Sequence, residues 1–218
     1  MALSQHKWQR KPDERPAQIV DAALEVFSRR GFRTATMDEV AVRAGITKGT
    51  IYNYFRSKED LFIAMVRAKV QEAVDLLPEM SIKPFEDPEA LTRRLGMAFM
   101  EVLTRPGVVK VIPLVLAEFQ HLPKLQAVYW EELLPQANLG LAQTLELGMH
   151  LGIVKRLDPV IAARCLFGMF IVFVLTQEVL GAKQVTPMDP GAMVDTIVSI
   201  FFRGVLTENG REGVRLTD

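Results

Sequence analysis

With 218 residues, 49% of them hydrophobic, 14 Gly and 12 Pro, the chain can fill a core and has too little Gly and Pro for a fibre or a disordered segment. Its single cysteine, Cys165, excludes an intramolecular disulfide and a cysteine-rich zinc site, and suits a reducing cytoplasm. Lys+Arg and Asp+Glu balance at 26 each, yet residues 1–67 hold 12 basic against 8 acidic residues and the rest 14 against 18, which permits a phosphate-facing N-terminal part without requiring one.

Helical period recurs along the chain and strand-like alternation is nearly absent, which predicts an all-α fold of about nine helices. Residues 1–12 form a basic arm, with HKWQRK from His6 to Lys11 and no apolar run of the kind that opens a secretory signal. A first helix is expected from Pro16 to Arg30, closed by Gly31. The second runs from Met37 to Ala44, opened by the capping box of Thr36 and Glu39 and ended by Gly45. Thr47 caps a short third helix, Lys48 to Tyr54, and Ser57 with Asp60 opens a longer fourth, Lys58 to Leu77. Residues 78–88, with Pro78, Pro84 and Pro88, read as a boundary. Further helices follow over Glu89–Thr104, Val108–Gln120 and Pro123–Leu151, the last kinked or broken at Pro135. Asp158-Pro159 starts a helix to Leu180, and Asp189-Pro190 starts the last, to Leu206. The polar tail is 208–218. The apolar run Cys165–Thr176 is about a dozen residues, where a membrane span needs about 20, so a buried helix is the expectation.

The stretch Thr36–Phe55, TMDEVAVRAGITKGTIYNYF, places two short helices around a tight turn at Gly45. This is helix-turn-helix spacing, in which the second helix enters the major groove of DNA. Thr47, Lys48, Thr50, Tyr52, Asn53 and Tyr54 offer hydroxyl and amide groups, a cation and flat rings, and Gly49 lets backbone approach closely. Ile51 and Phe55, four apart, are expected to face inward. On the residues alone, Tyr52 and Tyr54 suit a packed core as well as a DNA face.

Ile19 to Phe62 reads IVDAALEVFSRRGFRTATMDEVAVRAGITKGTIYNYFRSKEDLF. This segment closely resembles the DNA-binding domain of the TetR/AcrR family of transcriptional regulators. AALEVF, RRGF-x-x-T, DEVAVRAGITKGTIYNYF and SKEDLF carry the likeness, and Ile46 and Thr47 stand where Val and Ser are common. The resemblance implies a DNA-binding domain over 13–60, with its motif at 36–55, and a ligand-binding and dimerisation domain over 61–207. It implies a homodimer on double-stranded operator DNA, and a repressor released by a small molecule. The family's DNA contacts map onto Thr36, Thr47, Lys48, Gly49, Thr50, Tyr52, Asn53, Tyr54 and Lys58, with Arg43 and Arg33 as weaker candidates. The arm either reaches a groove, as in some members, or stays free.

The last two helices are apolar nearly all round, so burial on every face is expected, in an intersubunit bundle. Leu166, Phe170, Phe173, Val174, Ile197 and Phe201 are the interface candidates. Met65, Phe99, Leu103, Leu116, Phe119, Gln120, Tyr129, Trp130 and Met169 are candidate liners of a pocket for a mostly apolar ligand, and each also suits plain core. His6, His121 and His150 form no metal-binding pattern, and no G-x-S-x-G elbow or phosphate loop is present, so neither catalysis, metal nor cofactor is expected. Two rivals remain on residues alone: a helical ligand-binding protein that has lost DNA binding, and an α-helical enzyme.

Overall fold

The computed structural model describes residues 15–75, 88–205 and 207. The basic arm, the boundary segment and the polar tail lie outside these residues, apart from Pro88, which opens a helix. Among the described residues the elements are helical and no strand forms. The α-helices are α1 (Arg15–Arg30), α2 (Met37–Arg43), α3 (Lys48–Tyr54), α4 (Lys58–Asp75), α5 (Pro88–Leu103), α6 (Pro106–Glu118), α7 (Pro123–Val128), α8 (Leu134–His150), α9 (Pro159–Val174) and α10 (Pro190–Val205). The chain divides into two compact units, Met1–Ala68 and Lys69–Asp218.

The N-terminal unit closes over an apolar centre. Ile19, Ala23 and Phe27 of α1, Val40 of α2, Ile51 of α3 and Leu61, Phe62 and Met65 of α4 are fully buried. Phe27, Phe32 and Phe62 pack ring against ring, with centroids 4.7–5.8 Å apart. Aromatic contacts of this size add to the plain burial energy and fix α4 against α1.

The C-terminal unit is organised round α9 and α10. Leu166, Phe170 and Val174 of α9 meet Val194, Ile197, Val198, Phe201 and Phe202 of α10, with Met100 of α5 and Leu145 of α8 closing the cluster. Gly96 lets α5 approach α9 and α10 closely: a Cβ there would lie 2.9 Å from the Phe170 ring and 3.0 Å from a Val194 methyl. Asp195 of α10 also pairs with Arg93 of α5.

Three features add to the expected elements. The helix from α7 to α8 does not break at Pro135; a wider π-type turn, Tyr129–Leu133, precedes it. A proline ring clashes with the carbonyl four residues back, here Glu131, and the wider turn gives that carbonyl room. A second π-type turn, Leu175–Val179, prolongs α9 into an apolar helix of 21 residues, Pro159–Val179, long enough to cross a membrane by length and composition. Its inner face is built into the core just described. Finally, within one subunit α9 and α10 bury a single face, and Ile161, Cys165, Gly168 and Val172 of α9 and Ile200 of α10 face outward.

Candidate DNA-binding site

The turn between α2 and α3 is set by backbone chemistry. Gly45 has φ +66°, a left-handed conformation that costs a side chain-bearing residue steric strain. Its N–H donates to Val42 O at 3.1 Å and the Ile46 N–H donates to Ala41 O at 3.0 Å, a pattern that satisfies the last carbonyls of α2. At the other end of α2, Thr36 Oγ1 accepts from the Glu39 N–H at 3.2 Å while the Glu39 carboxylate accepts from the Thr36 N–H at 2.9 Å. The Thr36 N–H, then the Thr36 hydroxyl, and finally the Arg30 charge hold the Glu39 carboxyl below its ordinary value.

With both helices fixed, α3 buries one residue, leaves Thr50 half-buried and turns the others outward. Ile51 is fully buried, and Phe55 is half-buried. Thr47, Lys48, Gly49, Tyr52, Asn53 and Tyr54 are exposed, with Tyr52 at 44% and Tyr54 at 40%. The two tyrosines are therefore not core residues. Thr47 caps the helix, accepting from the Thr50 N–H at 3.2 Å and sharing a 2.8 Å hydrogen bond with the Thr50 hydroxyl. A Cβ on Gly49 would meet nothing nearer than Thr47 Oγ1 at 3.9 Å, so the approach to its backbone is open.

The cations of this unit are differently placed. Lys48 Nζ is exposed and lies 2.9 Å from the Asp38 carboxylate on α2. That hydrogen bond first, and the Asp38 charge second, raise the ammonium above the ordinary lysine value. Arg43 is held against Glu25 of α1, with Nε 2.6 Å from the carboxylate. Arg30 pairs with Glu39 at 3.2 Å, and Arg33 is exposed in the turn before α2. Lys58 is turned inward: its ammonium donates to the backbone carbonyls of Arg33 at 3.0 Å and Ala35 at 2.9 Å and sits over the Phe32 ring. The carboxylate partners Asp38 and Glu25 are not apparent in the sequence pattern, because they lie on other helices, ten and eighteen residues from the cations they meet.

The nine pocket candidates do not converge. Met65 is fully buried and falls in the N-terminal unit. Leu116 and Trp130 are 61% and 55% exposed, and Gln120 is also exposed, so these three belong to the surface. Phe119, Tyr129 and Trp130 form their own aromatic group, with centroids 5.1–6.2 Å apart. Only Phe99, Leu103 and Met169 pack against the main C-terminal core.

Of the interface candidates, Leu166, Phe170, Val174, Ile197 and Phe201 are buried in the subunit's own core, and Phe173 is half-buried against it. These positions share one face of each helix, and that face turns toward the other helix. The outward residues are the alternative set, Ile161, Cys165, Gly168 and Val172, at helical spacing along one stripe.

Comparison with known proteins agrees with this architecture. Residues 19–65 match the model of bacterial regulatory proteins of the tetR family, and residues 89–204 match that of the C-terminal domain of AefR-like transcriptional repressors. A fatty acid metabolism regulator protein of Bacillus subtilis is 37% identical over 62 residues, covering 28% of this chain and 32% of that protein. The chain thus matches only about a third of the length of the first curated relatives. A TetR-family regulator structure from Mesorhizobium loti superposes with a TM-score of 0.76 at 22% identity, covering 91% of this chain and 100% of that one. The regulator FadR from Bacillus subtilis, solved in complex with stearoyl-CoA, gives 0.71 at 25% identity, covering 86% and 98%. The chain belongs to the TetR family of bacterial regulatory proteins.

Proposed function

We propose that the protein acts in the cytoplasm as a homodimeric repressor, bound to a near-palindromic operator through α3 of each subunit and released by a mostly apolar ligand bearing a long acyl chain. The observation that carries the DNA reading is the exposed row Thr47, Lys48, Gly49, Tyr52, Asn53 and Tyr54 on a helix anchored by the buried Ile51. Asn and Lys side chains read base edges and phosphates, and the tyrosine hydroxyls add donors to phosphate oxygens. Thr36, Arg43 and Thr50 stand at the margins of this face, the first two engaged with Glu39 and Glu25.

Pairing through the outward face of α9 and α10 supports the dimer. Val172 is 56% exposed and Ile200 58%, on helices whose other faces are already packed. Covering such residues with a second copy removes apolar area from water, and two reading heads about 34–36 Å apart would meet successive major grooves. Repression is favoured by the match of the C-terminal half to a repressor domain. The acyl ligand is favoured by the likeness to FadR, whose solved complex contains stearoyl-CoA, and by the apolar interior of the C-terminal unit. Phe99, Leu103 and Met169 are the pocket candidates best placed to meet an acyl chain. The ligand acts through α4, which runs from one unit into the other. Ligand and DNA then oppose one another with a coupling of about 1–3 kcal/mol.

Fluorescence anisotropy with labelled DNA from upstream of the protein's own gene tests this reading. Stearoyl-CoA is expected to displace the DNA, and coenzyme A alone is not. Displacement by small polyanions, with no response to any acyl or other hydrophobic compound, would contradict the ligand proposal. Lack of any DNA binding would contradict the operator proposal.

A further inference from the structure

We infer that Lys58 is a positioning residue of the reading head, gripping the segment that leads into α2, and not a phosphate contact. The inference rests on the reading above that α3 meets DNA. Lys58 stands in the first turn of α4. Two of its three N–H bonds go to the carbonyls of Arg33 and Ala35, at 3.0 and 2.9 Å. Ala35 directly precedes Thr36, whose side chain caps α2. The grip therefore falls on the peptide next to the capping box, and it ties α4 to the start of the helix-turn-helix.

The ring beneath the ammonium strengthens the tie. Lys58 Nζ lies 4.7 Å from the centroid of the Phe32 ring, close enough for a cation–π attraction. Phe32 in turn packs on Phe62, one helical turn beyond Lys58, with centroids 4.7 Å apart. One stretch of α4 thus holds the α1–α2 turn by its backbone and by its side chain. To reach a phosphate, Lys58 would have to give up two charge-assisted hydrogen bonds and a ring contact. Lys48 would exchange only one exposed carboxylate, Asp38, for a phosphate. Of these two lysines, Lys48 is the one poised to neutralise DNA, and Lys58 sets where the helix carrying Lys48 stands.

The test compares Lys58→Met and Lys58→Arg with the unaltered full-length chain on DNA from upstream of its gene and on random DNA, across salt concentrations and well below the melting temperature. Lys58→Met keeps the apolar stem and removes the donors. It is expected to weaken upstream-DNA binding about tenfold, the scale of losing the two carbonyl bonds, with random-DNA affinity and salt slope unchanged. Lys58→Arg, which can also donate to two carbonyls, restores most of the loss. Equal loss on both DNAs with a salt slope reduced by about one would show a phosphate contact and overturn the inference. A lowered melting temperature with unchanged DNA binding would show a purely structural role and also overturn it. Amine acylation of the unaltered chain, followed by mass spectrometry, reads the same point if Lys58→Met does not fold. Lys58 should react slowly with and without the DNA, while Lys48 is fast when free and slowed by DNA; a Lys58 that is fast when free and shielded by DNA refutes the grip. A chain that binds no DNA fails differently: it removes the proposed function, while a Lys58 slower than Lys48 in the free protein still reports the grip.

Discussion

The two units treat their apolar side chains in opposite ways. In the N-terminal unit the large apolar residues of α1 are enclosed, and what α3 shows to water is hydroxyl, amide, ammonium and phenol. In the C-terminal unit α9 and α10 enclose one face and leave Ile161, Val172 and Ile200 outside. The first unit is finished as a fold and open as a polar surface. The second is open as an apolar surface, and the difference matches the two proposed partners: polyanionic DNA at one unit, a second apolar face at the other.

The comparison breaks most severely if the closed unit is opened from within. Phe62→Ala removes the ring that Phe27 and Phe32 pack against. It should cost about 3–5 kcal/mol, read by chemical denaturation, and abolish DNA binding at elevated temperature first. A loss below about 1 kcal/mol would mean that the aromatic group does not hold the head together.

The apolar surface of the second unit is tested by charging it. Val172→Glu with Ile200→Glu should give folded monomers in sedimentation and weaken upstream-DNA binding about a hundredfold, since one head loses the other's contacts. Dimers of undiminished stability would place the interface elsewhere. The polar surface of the first unit is tested at Lys48. Lys48→Ala should weaken specific and random DNA alike and lower the salt slope by about one. An unaltered slope would leave Lys48 as a plain partner of Asp38.

The smallest effect concerns acid. The Glu39 carboxyl is held below its ordinary value, so its capping contribution is fully present above the pKa of an unfolded glutamate and lost as pH falls through the lower, folded value. Glu39→Gln should flatten that acid limb of the stability curve of the N-terminal unit. An acid limb identical to that of the unaltered chain would assign the loss to other carboxylates.

Much of the N-terminal unit was legible because its signals are local. Thr36 and Glu39 cap across three residues, Gly45 carries its own backbone constraint, and Ile51 inside a polar run marks the buried side of α3. Tertiary pairing was not legible. The sequence shows Lys48 and Lys58 as similar cations, yet one meets Asp38 on a neighbouring helix and the other meets carbonyls more than twenty residues away. The same limit explains the interface. A helix apolar on both sides announces that both will be covered, but not which side turns to its own subunit. Bulk does not decide it: Leu166 and Phe170 fill the inner core, while Cys165 and Gly168, small and outward, carry no sequence signal of either face.

Selection of binding sites from a random DNA pool by the intact chain tests the central claim most directly. A dimer reading through α3 predicts enrichment of an inverted repeat whose half-sites lie one helical turn apart, about 10–10.5 base pairs, or a multiple of it, and Asn53→Ala relaxes the choice at one position in each half. Recovery of no sequence preference, or of a motif that Asn53→Ala and Lys48→Ala leave unaltered, would contradict it.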